Sequence, residues 1–436
     1  MLSTQPAKGT QDRYPQEFQI RKYIFDSWRK VCLKFGYQEY LGPLVENAEI
    51  RKAKSGEDVG GSELTMITNR EGKISELALR PEMTPTVTRM VAKNYAQLAK
   101  PIRYFSIANF YRNERPQRGR NREFRQLNVD MFGSDSIYAD VEILTLAISL
   151  MLEFNPPKGS WKLNINNRFI IDSILSEIGL SGDIKQETVR LMDKREKLPQ
   201  EAISEILLEK GLNQNQVNML VEYMNSSTIQ DLIKKFPSIQ DSKGIQQTNF
   251  IIQSLNNLGY SEYLEFKPSL IRGFDYYDGV VFEIFDTHPD NKRALFGGGR
   301  YNGLSKIFIK DDIPAIGFAP GDETTKLFLE SRGLIDPILN KTQIEKIYIP
   351  VLEDSLQDEV FKLAMNFRNY GKNVITGLET QKMIKAIQYA DKQDYKFIVI
   401  FGEEEKEKGI YKVKNLKSGK EKEFKLNEDF SVEELN

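Results

Sequence analysis

Two runs of alternating apolar and polar residues, Ile102 to Tyr111 and Glu123 to Gly133, flank the polar stretch Asn113-Glu-Arg-Pro-Gln-Arg-Gly-Arg-Asn-Arg. Period-two alternation on both sides of a loop predicts an antiparallel hairpin, which commits this part of the chain to an antiparallel sheet. Along the second run Phe124, Gln126, Asn128 and Asp130 share one face, while Leu127, Val129 and Met131 share the other. Polar groups in line beside buried residues are costly unless they bind something. Around the loop stand Arg112, Arg115, Arg118, Arg120, Arg122 and Arg125, against Glu114 and Glu123. Planar guanidinium groups match phosphate oxygens in pairs, so the hairpin reads as a phosphate-binding element. A solvated edge hairpin with scattered arginines is the plainer alternative.

That local basic density matters because nothing global supplies it. The 436 residues carry 61 Lys and Arg against 62 Asp and Glu, a net charge of −1. No whole-molecule field attracts nucleic acid, and any such contact must come from local patches. The length suggests two to three domains. One cysteine, Cys32, excludes an intrachain disulfide and a cysteine zinc cluster. It lies in the amphipathic run Ile20, Tyr23, Ile24, Trp28, Val31, Phe35 and reads as core. The lone His288 sits in a polar loop and reads as exposed, and no metal-ligand spacing is present. No window approaches ~18 apolar residues and no secretory h-region opens the chain, so a cytoplasmic protein without membrane contact is expected.

Residues 17–36 show helical periodicity closed by Gly36, and Tyr37 to Val45 reads as a strand broken by Pro43. Arg80-Pro-Glu-Met-Thr-Pro leads into a helix to about Ala99, and Ala139 to Glu153 forms another. From about 173 to 263 glycines thin out and helical windows follow one another, which predicts a helical insertion. Strands resume at Val280 to Phe285, before Gly297-Gly-Gly-Arg-Tyr-Asn-Gly. These glycines lack the spacing of a dinucleotide loop and read as backbone making room for a substrate. Asp336-Pro and Asn340-Lys-Thr-Gln mark a linker. Beyond it, strands at 344–351, near 373–375 and at 396–401 alternate with helices at 354–370 and 380–392, a small α/β module with parallel strands.

Phe110-Tyr-Arg-Asn-Glu-Arg-Pro-Gln-Arg-Gly-Arg-Asn-Arg-Glu-Phe-Arg-Gln resembles the second signature motif of class II aminoacyl-tRNA synthetases. Ile271-Arg-Gly-Phe-Asp-Tyr-Tyr-Asp-Gly and Gly297-Gly-Gly-Arg-Tyr-Asn-Gly-Leu are similar to the two histidine-specific motifs of the histidyl-tRNA synthetase family. Leu79-Arg-Pro-Glu-Met-Thr-Pro resembles that family's loop for the substrate amino group, and Pro43 its first-motif proline at the dimer interface. The resemblance spans nearly the whole chain, weakest in the insertion. It implies a mixed α/β protein: an α+β catalytic domain (1–333) built on an antiparallel sheet flanked by helices, interrupted at about 173–263, and an α/β anticodon-binding domain (343–436).

It also implies roles. Arg112 and Arg272 would be the catalytic cations at the ATP α-phosphate. Phe124 would stack on adenine and Arg120 would add to ATP binding. Glu82 and Thr84 would orient the histidine ammonium group, although Glu82 also fits a helix-capping acid. Gln126 would meet the carboxylate, and Asp130, Tyr276, Tyr277 and Tyr301 would surround the imidazole. Arg115, Gln117 and Arg118 would touch the tRNA. Implied partners are histidine, ATP with its Mg²⁺, histidine tRNA at acceptor end and anticodon, and a second copy in a homodimer. Lys372, Lys382, Lys385, Lys392 and Lys396 would offer phosphate contacts for the anticodon.

The chain departs from the family at the third motif, where Gly317-Phe-Ala-Pro-Gly-Asp-Glu-Thr places Thr324 at the usual γ-phosphate arginine. Lys326, Arg118 or Arg120 are the candidates to replace it. Asn302 stands where an aspartate is more usual, and Asp130 where some relatives carry glutamate. The expected activity is histidine–tRNA ligation through histidyl-adenylate. The alternative is a catalytically lapsed histidine-sensing regulatory subunit of ATP phosphoribosyltransferase. Thr324 suits it, whereas the intact second motif and the C-terminal module oppose it.

Overall fold

The computed structural model describes residues 2–52, 63–193, 199–271, 276–291, 294–342, 345–428 and 430–435. The chain divides into two compact units, residues 1–339 and 340–436.

In the first unit the strands are β1 Gln38–Glu39, β2 Val45–Asn47, β3 Thr65–Thr68, β4 Ile74–Leu79, β5 Ile102–Tyr111, β6 Glu123–Phe132, β7 Trp161–Asn167, β8 Leu264–Phe266, β9 Val280–Asp286, β10 Ala294–Arg300 and β11 Ala315–Phe318. Eight of them form one sheet in the order β1-β5-β6-β11-β10-β9-β7-β8, and β2-β4-β3 form a small second sheet. The predicted hairpin is present: β5 and β6 pair antiparallel from Ile102↔Phe132 to Tyr111↔Glu123. The single strand expected over 37–45 is instead two short ones, β1 and β2, which join different sheets on either side of Pro43. Proline has no N–H to donate to a ladder, so the chain changes partners there.

Helices α1 Pro15–Lys34, α2 Ala48–Lys52, α3 Thr84–Asn94 and α4 Ile137–Glu153 frame this sheet. Helix α1 buries Ile20, Ile24, Trp28, Val31 and Cys32, the stripe that its 3.6-residue period puts on one side. They join Leu127, Val129 and Met131, the apolar face of β6, and the inner residues of α4 in the main core. Cys32 is fully buried, as its place in that stripe predicts, and burial holds its thiol well above the ordinary range. Helix α3 stops five residues short of Ala99, because the segment after it must turn into β5 ahead of Pro101, and a residue preceding proline is kept out of helical geometry.

Helices α5 Arg168–Glu177, α6 Gly182–Asp193, α7 Gln200–Glu209, α8 Gln214–Met224, α9 Ile229–Lys235 and α10 Lys243–Asn257 make up the insertion, which has its own apolar core. It leaves the large sheet at the end of β7 and returns through β8. Helices α11 Asp322–Ser331 and α12 Ile335–Thr342 close the unit. The expected linker at Asn340-Lys-Thr is thus the last turn of a helix, drawn in by the burial of Ile338 on the main core.

The second unit runs β12 Lys346–Val351, α13 Gln357–Asn369, β13 Asn373–Thr380, α14 Met383–Lys392, β14 Phe397–Ile400, α15 Glu403–Lys408, β15 Ile410–Asn415 and β16 Glu421–Lys425. Its sheet order is β13-β12-β14-β15-β16. The three expected strands are parallel, but β15 and β16 add an antiparallel edge, so the sheet is mixed rather than parallel. No described helix is long and apolar enough to cross a membrane.

Candidate active site

The polar face of β6 is one wall of a buried cluster of polar and aromatic side chains. Asp130, fully buried, pairs across the sheet with Gly317 of β11, which pairs in turn with Gly299 of β10. A Cβ on Gly317 would stand 2.5 Å from Asp130 Oδ1 and the carbonyl oxygen of Val129. One on Gly299 would stand 2.9 Å from the Tyr277 ring. The two glycines therefore make a floor of bare backbone on which the Asp130 carboxyl and the Tyr277 ring are seated. The sequence alone suggests backbone making room for a substrate at the glycine cluster. It is a strand, and the space at Gly298 and Gly299 is taken by the neighbouring strands and by Tyr277.

Around this floor the tyrosines close in. Tyr301 Oη donates to Asp130 Oδ1 at 2.5 Å, and Tyr276 Oη donates to Glu82 Oε2 at 3.1 Å. The rings of Tyr276 and Tyr277 lie 4.9 Å apart, with Tyr301 edge-on to Tyr276 at 5.8 Å. Glu82 does not cap α3: Met83 occupies the N-cap position without a side-chain bond, and Thr84, also buried, begins the helix. Asp130, Glu82, Thr84, Tyr276, Tyr277 and Tyr301 are thus brought together. Gln126 is half-buried farther along β6, its Nε2 donating to Ala319 O at 3.3 Å.

Burial pushes the Asp130 carboxyl up to about 7. The Tyr301 hydrogen bond opposes the shift, and the nearby Glu82 charge adds to it. The same burial, with Asp130 beside it, holds the Tyr301 phenol well above its ordinary value. Asp130 Oδ2 has no hydrogen-bond partner among the described residues. An unpaired buried carboxylate oxygen is costly, and a donor entering the pocket would satisfy it.

The arginine hairpin borders this pocket, but its six guanidinium groups do not form one patch. Arg112 is half-buried, donates from Nε to Pro81 O at 3.0 Å and lies 5.1 Å from the centroid of the Phe124 ring. Phe124 itself is half-buried and stacks on Phe110. Arg120 pairs with Glu114 at 3.2 Å, and Arg122 Nε donates to Glu114 O. Arg125 turns the other way, onto the Phe18 and Phe25 rings of α1 and Asn109 Oδ1. The tip folds into a tight turn in which Gln117 and Arg120 exchange backbone hydrogen bonds. Arg115, Gln117 and Arg118 are exposed on it. A Cβ on Gly119 would come within 3.1 Å of Leu327, so the tip lies over α11.

At the start of α11, Thr324 Oγ1 donates to Leu295 O at 2.9 Å and Gly321 O at 3.1 Å, closing on backbone. Lys326 faces Glu330 at 3.6 Å and Glu17 at 3.9 Å. Of the three substitutes for the missing arginine it is the one already neutralised by two acids. Arg272 lies outside the described residues. His288 is half-exposed.

Two residues of the site escaped sequence reasoning as individuals. Asp278 accepts the backbone N–H groups of Asn302 and Gly303, both at 3.1 Å, while Asn302 Oδ1 accepts the N–H of Ala315. The carboxylate missing at position 302 is therefore supplied to the same turn from position 278. Gly317 is the other, and its strand-floor role has no local signal.

Known proteins resemble this chain over most of its length. A family model described as histidyl-tRNA synthetase matches residues 9–322, and one described as an anticodon binding domain matches 339–434. Histidine–tRNA ligase of Leptospira biflexa is 36% identical over 428 residues, covering 98% of this chain and 96% of that protein. The Pyrococcus furiosus ligase is 31% identical over 427 residues, covering 97% and 96%. A histidyl-tRNA synthetase from Nostoc sp. PCC 7120 superposes with a TM-score of 0.79 at 23% identity, over 98% of this chain and 97% of the other. A Bacillus halodurans protein described as an ATP phosphoribosyltransferase regulatory subunit/histidyl-tRNA synthetase superposes at 0.72 and 22% identity, over 91% and 98%. At these identities the two structures speak to the fold.

Proposed function

The chain belongs to the histidyl-tRNA synthetase family, its Leptospira and Pyrococcus relatives are aminoacyl-tRNA ligases, and from that premise we propose the following chemistry for its pocket. Histidine lies on the Gly317–Gly299 floor with its imidazole against Asp130 and the tyrosines. One ring nitrogen donates to Asp130 Oδ2, the open acceptor, and the other is served by a phenol. Glu82 and Thr84 take the ammonium group and Gln126 the carboxylate. The observation that carries this reading is the buried Asp130 carboxylate, bonded at one oxygen and open at the other.

ATP binds beside it along the hairpin, with adenine on Phe124 and Arg112 at the α-phosphate. The histidine carboxylate oxygen bonds to the α-phosphorus as the bond to the β-phosphate oxygen breaks, giving histidyl-adenylate and pyrophosphate. A carboxylate nucleophile needs no general base, so catalysis rests on positioning and charge stabilisation by Arg112, with Arg272 as second cation. No group of three or more His, Cys, Asp or Glu among the described residues is arranged to hold a metal. A Mg²⁺ brought in with ATP would neutralise charge on the triphosphate. The terminal adenosine hydroxyl of histidine tRNA then takes the acyl group and AMP leaves.

Residues 343–436 read the anticodon. Lys396 is committed to Glu345 and Lys372 to the Phe430 ring, which leaves exposed Lys382, Lys385 and Lys392 along α14. Exposed Ile384 and Tyr389 on the same helix offer surface for unpaired bases. Exposed Leu41, Leu44, Val45, Ile74 and Leu77 cluster around β2 and β4 and form the face for a second copy, which sedimentation tests.

ATP–pyrophosphate exchange with each amino acid, followed by charging of histidine tRNA, tests the whole reading. Histidine alone should support exchange. Histidine binding without exchange would point to the regulatory alternative that Thr324 suits, and exchange with proline or threonine instead would move the specificity.

A further inference from the structure

Leu270 and Ile271 are adjacent in sequence and buried in different cores. Leu270 belongs with Tyr276, Tyr277 and Tyr301 around the histidine pocket. Ile271 belongs with the helices of the insertion. The backbone between the cores is pinned by the end of β7. Asn166, wholly buried, donates from Nδ2 to Pro268 O at 2.8 Å and to Leu270 O at 2.9 Å. The same nitrogen stands 3.2 Å from Tyr223 Oη, which α8 of the insertion brings in. Next along, Arg168 donates from its guanidinium to Ile271 O at 3.2 Å and from its backbone N–H to Gly279 O at 2.8 Å. Both ends of the stretch 271–279 are therefore held by residues 166–168, at the point where the insertion departs from the sheet.

We propose that the insertion acts on histidine activation through Asn166 and Tyr223, positioning residues that fix the segment 268–271 from which Tyr276 and Tyr277 follow. The inference rests on the function proposed above. An amide whose two hydrogens are shared among both carbonyls of one turn and the phenol oxygen ties that turn's position to α8. The triphosphate side is anchored independently, since Arg112 is held by Pro81 and Arg120 by Glu114. Disturbing the pair should therefore be felt by histidine and by turnover, and not by ATP affinity.

The test compares wild type with Asn166→Asp, which keeps the shape and removes the donors, and Tyr223→Phe, which removes one hydroxyl. Circular dichroism confirms folding, and ATP–pyrophosphate exchange with histidine gives separate constants for each substrate. Loss of a hydrogen bond at a buried polar junction predicts a fall in kcat of about tenfold for N166D and about threefold for Y223F, with KM for ATP within about twofold. Either folded variant retaining wild-type kcat and histidine KM overturns the proposal, as does a rise confined to the KM for ATP. Should N166D fail to fold, Y223F decides by the same criteria. Should wild type itself fail to exchange with histidine, the function above falls, and amide hydrogen exchange decides the inference. Faster exchange at the amides of residues 269–271 in Y223F would support it, and unchanged protection would overturn it.

Discussion

Replacing Asp130 by asparagine separates what this carboxylate costs the fold from what it contributes to the site. Burial raises its pKa from the ordinary 3.8 to about 7. The neutral form is thus favoured by folding, and the associated stability is fully present below pH 4 and lost as pH rises through 7. At about 1.4 kcal/mol per pH unit, the interval between 3.8 and about 7 amounts to roughly 4 kcal/mol by pH 8. The asparagine side chain would keep an acceptor for Tyr301 and never ionise. Urea unfolding of both proteins between pH 4 and 8 should show the variant gaining on wild type by up to about 4 kcal/mol across that range. Other titrating groups cancel in the difference. Saturating histidine should narrow the gap by giving Oδ2 its missing donor, and histidine activation by D130N should fall about 10- to 100-fold. Parallel pH curves for the two proteins would refute the claim that Asp130 is held protonated by burial.

Three further outcomes follow from the geometry. Arg112→Ala should lower kcat/KM in ATP–pyrophosphate exchange about 10- to 100-fold, the worth of a charged phosphate contact, and a loss below threefold would remove Arg112 from the α-phosphate. Lys326→Ala should leave the KM for ATP within about twofold because Glu17 and Glu330 already engage the ammonium, whereas Arg120→Ala should raise it by about tenfold or more. A raised KM in K326A would reinstate it as the substitute for the arginine that Thr324 displaces. Gly317→Ala should destabilise the protein by about 1–3 kcal/mol in urea unfolding, since its Cβ meets Asp130 and the Val129 carbonyl at 2.5 Å, and an unperturbed variant with normal histidine KM would contradict the floor described here.

Much of this is readable in advance because alternation and turn chemistry are local. The β5–β6 register, the two faces of β6 and the helices α1 and α4 all follow from spacing within one segment. The pocket is different in kind. Tyr301 meets Asp130 across 171 positions of sequence, and only the resemblance of their motifs sets the two side by side beforehand. Where a residue's neighbours come from distant segments and no motif speaks for it, the pattern is silent. Arg125 looks like one more phosphate ligand, yet the rings of Phe18 and Phe25 claim it. Asp278 looks like the tail of a motif and instead ties two pocket segments together. Strand β16 escapes notice because Glu421-Lys-Glu-Phe-Lys buries a single apolar side chain, too little pattern to register, whereas the alternation of Tyr411 and Val413 in β15 was there to be read.

The pairing of β6 with β11 also bears on how the protein is made. Val129 and Asp130 find their partners at Gly317 and Phe318, nearly two hundred residues later, with the entire insertion emerging from the ribosome in between. Closing so long a stretch of chain costs entropy before any contact rewards it, so the centre of the sheet must wait for its last strand. Until then the nascent hairpin presents an unpaired edge and the Asp130 carboxylate remains in water, where it ionises normally. The histidine pocket is therefore among the last features of this unit to form, and a chain stalled before residue 317 would hold the arginine hairpin with no floor beside it.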